Sequence, residues 1–183
     1  MKSASAFSPA GISSFFEICD TTCDGKPIIN PERIGARGGG FVISKGVLTQ
    51  IRLRESTQNQ IEVLINGKPW PEANTTKTVV ETLLERAGIR SKVIVSHRVD
   101  VPIGAGFGSS GAGALSTALA LSKVLDLHLT FNQLGRIAHV AEIKCLTGLG
   151  TVGPLMLGGC IMTIEPGAPG YSVIDRIPIS SNL

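Results

Sequence analysis

A glycine-rich segment near the middle of the chain constrains the fold more than any other feature. Residues 102–112 read PIGAGFGSSGA, with glycine at every second position from Gly104 to Gly108. An alternating apolar run precedes the segment and predicts a strand, and an apolar stretch to about Leu125 follows it and predicts a helix. Glycine lets a backbone approach a ligand closely, and a helix N-terminus offers unpaired N–H groups. The segment therefore favours a phosphate-binding loop over the alternative, a connector with a serine cap.

Three common glycine motifs do not fit this segment. The dinucleotide pattern G-x-G-x-x-G at Gly106–Gly111 requires a further strand after the helix, ending in an acidic residue, but only residues 127–129 separate two predicted helices. The P-loop requires a lysine after its last glycine, where this chain has Ala112. The same alanine occupies the last glycine position of the hydrolase pattern G-x-S-x-G.

Composition excludes several classes of protein. The 183 residues are 43% hydrophobic with a net charge of +3, which is incompatible with intrinsic disorder. Aromatic residues make up only 4% and no basic run occurs, which argues against nucleic-acid binding. The longest apolar region, residues 111–125, is interrupted by polar residues and is too short to span a membrane. The four cysteines lack metal-ligand spacing, and no signal peptide is recognisable, so a cytoplasmic location is expected.

The order of predicted elements indicates an α+β fold. A short strand is expected at residues 5–7, with a break at 9–11, and further strands are expected at 47–55, 60–65, 93–101, 157–165 and 171–177. Capping boxes at Thr78-x-x-Glu81 and Thr130-x-x-Gln133 predict two helix starts. His97 alternates with valines and is expected to be structural. Strands followed by adjacent helices favour α+β over a regular βαβ alternation.

The loop pattern P-x-G-x-G-x-G-S-S resembles the second motif of the GHMP kinase superfamily of small-molecule kinases. FSPAGI at residues 7–12 resembles the first motif, and Ala141-Glu142 with TGLGTV at 147–152 resembles the acidic helix and the next loop. The strings FSPAGISSFFEICD, AEIKCLTGLGTVGP and GGCIMTIEPGAPG are similar to the archaeal pantoate kinases within the superfamily. The implied fold is the GHMP-kinase N-terminal domain, ribosomal-protein-S5 domain-2-like: a mixed sheet with helices on one face.

The resemblance also implies ATP and Mg²⁺ as cofactors and assigns site residues. The nucleotide phosphates are expected at the loop, on Pro102, Gly104, Gly106, Gly108, Ser109, Ser110 and Gly111. Ser110 and Glu142 are implied as ligands of Mg²⁺ and as catalytic residues. Thr151 stands near the position where many members place an aspartate as catalytic base, and it is the third catalytic candidate.

The implied reaction is phosphorylation of a small hydroxy acid, with pantoate as the expected substrate in coenzyme A biosynthesis. Ser13, Ser14 and Arg37 are the candidate substrate residues, the arginine because it can pair with a carboxylate. The alternatives are a non-catalytic nucleotide-binding module, or a kinase for homoserine, shikimate or mevalonate. Other partners are not expected, neither nucleic acid nor a membrane.

The resemblance runs from about Ser5 to Ile177 and covers one domain. GHMP kinases have two domains with the active site between them. Residues 1–183 are expected to form the N-terminal, ATP-binding domain, with the C-terminal GHMP domain absent from this chain and little turnover from these residues alone. An exposed apolar interdomain face is expected, and a homodimer is one way to cover it.

Overall fold

The computed structural model describes residues 2–179. They form one seven-stranded sheet and four helices. In chain order the elements are β1 (Lys2–Cys19), β2 (Gly35–Glu55), β3 (Gln60–Ile65), β4 (Lys68–Pro69), α1 (Asn74–Ala87), β5 (Ser91–Val99), α2 (Ser109–Val124), α3 (Phe131–Cys145), α4 (Val152–Leu157), β6 (Cys160–Glu165) and β7 (Val173–Ile177).

The long strand β2 organises the sheet. Strand β1 pairs with it antiparallel along nearly its whole length. On its remaining edge β2 pairs with β6 over residues 38–41 and with β5 over residues 47–55. The sheet continues from β6 to β7 and from β5 to β3 and β4, and only the β3–β5 pair is parallel. The predicted mixed α+β sheet is therefore confirmed, and a doubly wound parallel sheet is excluded.

Helices α1, α2 and α3 pack together on one face of this sheet. Alternation along β5 determines which side chains face them: Val93, Val95 and His97 are buried, whereas Ile94 and Ser96 are only half-buried. None of the helices within residues 2–179 has both the length and the apolar character needed to cross a membrane.

Local signals predicted some boundaries correctly. The capping box at Thr130 is confirmed: its Oγ1 accepts a hydrogen bond from the backbone N–H of Gln133, and its own N–H donates to Gln133 Oε1. The glycine segment connects β5 to α2, as expected from its flanking patterns.

The prediction of a helix start at the Thr78 capping box is wrong. Helix α1 begins one turn earlier, at Asn74, and Thr78 lies inside it with its Oγ1 3.5 Å from Cys145 Sγ. The earlier start follows from burial, because Thr75 and Thr76 on the first turn are both buried and both have polar partners, Thr147 and His97. Tertiary contacts therefore overrule the local capping signal.

Two strand predictions are also wrong. Strand β1 does not stop at Pro9, because β1 lies at the edge of the sheet and a register shift after Pro9 accommodates the residue. The strand expected from residue 157 begins only at Cys160, since residues 152–157 form α4. Gly158 and Gly159 lie between the two elements, with φ of 71° and 83°, instead of inside a strand.

Candidate functional site

The glycine loop takes a backbone path that requires glycine. Gly104, Gly106 and Gly108 have φ of 74°, 82° and 62°, all in the left-handed region. Gly108 is the N-cap of α2, and no side chain caps this end of the helix. The first-turn N–H groups of α2, at residues 109–111, are therefore free to bind an anion, and the helix dipole adds to the attraction.

Two other segments converge on this loop. The N–H of Gly11 on β1 donates to the carbonyl of Phe107 at 3.1 Å. Thr151 lies on the opposite side, so close that a Cβ added to Gly108 would come within 2.6 Å of Thr151 Cγ2. The fold thus brings the FSPAGI and TGLGTV strings to the glycine loop, although they are distant in sequence.

Glu142 on α3 is buried at the base of the loop, with only 2% of its surface exposed. Burial raises the pKa of its carboxyl to about 7, while hydrogen bonds from Ser110 and Thr147 act in the opposite direction. A Cβ on Gly111 or on Gly148 would approach Glu142 Oε2 to 2.7 and 2.6 Å. The carboxylate therefore lies against two stretches of bare backbone, and a side chain at either glycine would displace it.

The donor atoms around Glu142 fit Mg²⁺. This hard cation prefers oxygen ligands and is usually held by one or two carboxylates together with water and phosphate oxygens. Here the protein supplies the carboxylate and the hydroxyls of Ser110 and Thr147, and none of the ion pairs in the described chain involves Glu142. Residues 2–179 contain no cluster of three or more His, Cys, Asp or Glu side chains that would form a metal site by itself.

A cavity of about 600 Å³ opens beside the loop, between β1, β2 and the 147–151 segment. Its walls are largely apolar. Arg37 is the single basic side chain and Asp20 the single acidic one among the described residues that line it. Hydroxyl groups come from Ser13, Thr147, Thr151 and Thr163.

Residues 74–159 match the family model described as the GHMP kinases N terminal domain. The chain has the fold of a GHMP kinase N-terminal domain. A pantoate kinase from Thermococcus kodakarensis is 36% identical over 177 residues, which cover 94% of this chain and 55% of that protein. A pantoate kinase from Methanospirillum hungatei is 30% identical over 181 residues, which cover 95% of this chain and 58% of that protein.

A solved structure described as a phosphotransferase related to the CoA biosynthesis pathway has the same fold. It superposes with a TM-score of 0.86 at 34% sequence identity, covering 97% of this chain and 58% of that one. The chain therefore spans a little more than half the length of the relatives that it matches.

The GHMP domain brings together most of the predicted nucleotide and metal residues. Gly106, Gly108 and Thr151 line the cavity, and Ser110 contacts Glu142 at the base of the loop. Pro102 and Gly104 are exposed on the loop outside the cavity, and Ser109 and Gly111 open α2. All seven predicted loop residues are therefore in one continuous segment, but only two of them face the cavity.

The structure separates the three predicted substrate residues. Ser13 lines the cavity, whereas Ser14 does not, because β1 has a register shift between Ser13 and Phe15 that leaves Ser14 without a partner in β2. Arg37 lines the cavity, paired across strands with Glu17, and the preceding residue, Ala36, lies against Gly150, where an added Cβ would come within 3.2 Å of the Ala36 Cβ. Its ion pair with Glu17 is exposed and 3.7 Å long, which makes it weak.

Sequence reasoning missed three polar residues here. Thr75 and Thr147 join Ser110 and Glu142, with Thr75 Oγ1 2.9 Å from Thr147 Oγ1. Asp20 lines the cavity at the end of β1. Thr147 opens the TGLGTV string and was detectable there, but nothing near Thr75 or Asp20 in sequence signals a site.

Proposed function

We propose that this protein is an ATP-dependent kinase that transfers a phosphoryl group to a hydroxyl of pantoate. One observation carries the proposal: a glycine loop with free helix N–H groups, the buried Glu142 with its partner Ser110, and a cavity with a single arginine meet at one place. The similarity to two pantoate kinases and to a phosphotransferase of the CoA pathway supports the choice of substrate and pathway.

The loop is proposed to bind the nucleotide. The free N–H groups at residues 109–111 would donate to phosphate oxygens, and the left-handed glycines would let the backbone follow the triphosphate closely. Glu142 and Ser110 would hold Mg²⁺, which neutralises phosphate charge when bound. Burial under Gly111 and Gly148 fixes the Glu142 carboxylate in position before any ligand arrives.

The cavity suits a branched hydroxy acid. Pantoate has a carboxylate, two hydroxyls and a carbon that bears two methyl groups. Arg37 would pair with the carboxylate, Ser13 would bind a hydroxyl, and the apolar walls would receive the methyl groups.

Thr151 is proposed to orient the acceptor hydroxyl. A threonine hydroxyl is no general base at neutral pH, but phosphoryl transfer depends mainly on positioning and charge neutralisation. Thr151 lines the cavity and lies against Gly108, so its side chain would stand between the phosphate loop and an acceptor bound in the cavity.

The test is a kinase assay on the protein expressed from its complete reading frame. Pantoate, mevalonate, homoserine and shikimate are compared at equal concentration with ATP and Mg²⁺. We expect pantoate to give the highest kcat/KM by at least about tenfold, corresponding to one lost contact of about 1.4 kcal/mol. Equal turnover of another acceptor would overturn the substrate, and nucleotide binding with no turnover of any would indicate a binding module.

Adjacent serines offer a matched pair of variants for the cavity. Ser13→Ala removes a hydroxyl that lines the cavity, whereas Ser14→Ala removes one on the same strand that does not. We expect Ser13→Ala to raise KM for pantoate several-fold, in line with a lost hydrogen bond of about 1 kcal/mol, and Ser14→Ala to leave it unchanged. Arg37→Lys should raise KM further, because lysine cannot form a bidentate pair. Equal KM values for all three variants and the wild type would count against this acceptor site.

The cytoplasm is the proposed location. All four cysteines are free in the structure, as expected in a reducing compartment, and the proposed reaction uses ATP. Self-association through the exposed apolar part of β1, where Phe15 and Phe16 are 59% and 64% exposed, stays a prediction.

A further inference from the structure

Thr75, on the first turn of α1, lies behind the Ser110–Glu142 pair. It is only 6% exposed. Its Oγ1 accepts a hydrogen bond from Ser110 Oγ at 3.4 Å and lies 2.9 Å from Thr147 Oγ1. Ser110 and Thr147 are also the two side chains that hydrogen-bond to Glu142. Thr75 therefore connects both hydroxyl partners of the buried carboxylate.

We propose that Thr75 is a positioning residue for the metal-binding pair Ser110 and Glu142. The inference rests on the proposed function, because it deepens the role given to that pair. A hydroxyl that gives a lone pair to a cation keeps its proton and must donate it to another acceptor. Thr75 Oγ1 is such an acceptor for Ser110, and it would remain available when the Glu142 oxygens hold the cation.

The four side chains form a ring in which the protons have a consistent direction. Ser110 has a single proton, which it can donate to Glu142 in the absence of a cation and would donate to Thr75 once it shares a cation with Glu142, while Thr75 can donate to Thr147 and Thr147 to Glu142. Each hydroxyl has one proton and two lone pairs, so this order satisfies every member and leaves a lone pair of Ser110 unused. Thr75 thereby fixes the rotamer in which Ser110 presents that lone pair beside the carboxylate.

The neighbouring residue supplies a control. Thr76 is on the same helical turn and is also 6% exposed, but its Oγ1 lies 3.0 Å from His97 Nε2 in a separate network. Substituting valine for either threonine removes one buried hydroxyl and preserves the side-chain shape. The two variants therefore differ in which network they interrupt, while the change in composition is the same.

The experiment measures binding of a non-hydrolysable ATP analogue to the full-length protein by calorimetry, with Mg²⁺ and with EDTA. We expect Thr75→Val to reduce the Mg²⁺-dependent gain in affinity by roughly fivefold to tenfold, in line with the loss of one hydrogen bond between hydroxyls. Binding in EDTA should be unchanged, and Thr75→Ser should restore the Mg²⁺ gain. Thr76→Val should lower the melting temperature and leave the Mg²⁺ gain at the wild-type value.

A second variant keeps the test decisive if Thr75→Val does not fold. Thr147 is exposed, so Thr147→Val should fold, and it breaks the same ring from its other side. It should reduce the Mg²⁺ gain to a similar extent, and an unchanged gain would overturn the proposal. Equal losses in Thr75→Val and Thr76→Val would also overturn it. If the wild-type protein shows no Mg²⁺-dependent nucleotide binding, the proposed function itself fails.

Discussion

The network around Glu142 and the network around His97 lie under the same helices, yet they bury different kinds of group. In the His97 network the Nδ1 atom is 2.7 Å from Thr49 Oγ1, which in turn lies 2.6 Å from Ser116 Oγ. Burial lowers the pKa of His97 to about 4, so the imidazole is neutral at pH 7. In the Glu142 network, hydroxyls surround a carboxyl whose pKa burial raises to about 7.

The difference separates architecture from function. A neutral imidazole between two hydroxyls has hydrogen-bond partners for both ring nitrogens within the protein, so it does not require a ligand. A buried carboxylate without a cation costs stability, and such groups are concentrated at functional sites. The comparison predicts that changes to the His97 network affect mainly folding, whereas changes to the Glu142 network affect mainly ligand binding and turnover.

The largest expected effect comes from Glu142→Gln. The amide keeps the shape and removes the buried charge, so the free energy of unfolding in Mg²⁺-free buffer should stay the same or rise by about 1–2 kcal/mol. Turnover should fall by about a hundredfold or more, because metal-assisted charge neutralisation contributes several kcal/mol. Urea denaturation and steady-state assays measure the two quantities. If the variant is destabilised but keeps its turnover, Glu142 is a structural residue, and the proposed difference between the His97 and Glu142 networks is wrong.

Acid should weaken the fold through His97. Its pKa in the folded protein is about 4, against a usual value of 6.5, so between these values the unfolded chain binds a proton that the folded protein does not. The contribution of His97 to stability is complete above pH 6.5 and should decrease by up to about 3 kcal/mol as the pH falls toward 4. Glu142, whose pKa burial raises to about 7, acts in the opposite direction over much of this range, because its folded-state carboxyl binds a proton before the unfolded one does. Urea midpoints at pH 7 and pH 5 are therefore compared in a Glu142→Gln background, which removes the opposing contribution.

A His97→Gln variant is the control for this pH dependence. It should be less stable at pH 7, and its stability should fall less steeply with acid. Some slope should remain, because burial also lowers the pKa of His139, which lies 2.9 Å from the carbonyl of Ile34. An unchanged slope in the variant would show that His97 is not the group that titrates.

The smallest expected effect is on stability, and it comes from removing single hydroxyls in and beside the His97 network. Ser116→Ala takes a hydrogen-bond partner from buried Thr49 and should destabilise the fold by about 1 kcal/mol. Thr117→Val removes a hydroxyl that bonds only to the Gly113 carbonyl of its own helix, so its cost should be smaller. Nucleotide affinity should be the same in both variants. A weakened affinity in Ser116→Ala would mean that the two networks are coupled.

Local sequence signals predicted the parts of the site that are built from consecutive residues. The glycine loop, the start of α2 and the capping box at Thr130 each depend on a few neighbouring positions. Ser110 and Glu142 followed from the resemblance to a family. These features need no knowledge of which strands pair or which helices touch.

Contacts between distant segments could not be predicted in this way. Thr75 is 35 residues from Ser110 and 72 from Thr147, and only the packing of α1 on α2 and α3 joins them. The same packing overruled the capping box at Thr78. Ser14 does not line the cavity. It lies at a β-bulge, where one strand has an extra residue, and no distinctive sequence pattern announces such a bulge.

The divided edge of β2 also sets an order of assembly. Its residues 47–55 pair with β5, which follows soon in the chain. Residues 38–41 pair with β6, and the sequence separation between those paired residues is more than twice as large. Closing a longer loop costs more entropy and slows pairing. The half of the sheet that carries His97 is therefore completed first during synthesis, and the half that walls the cavity is completed last.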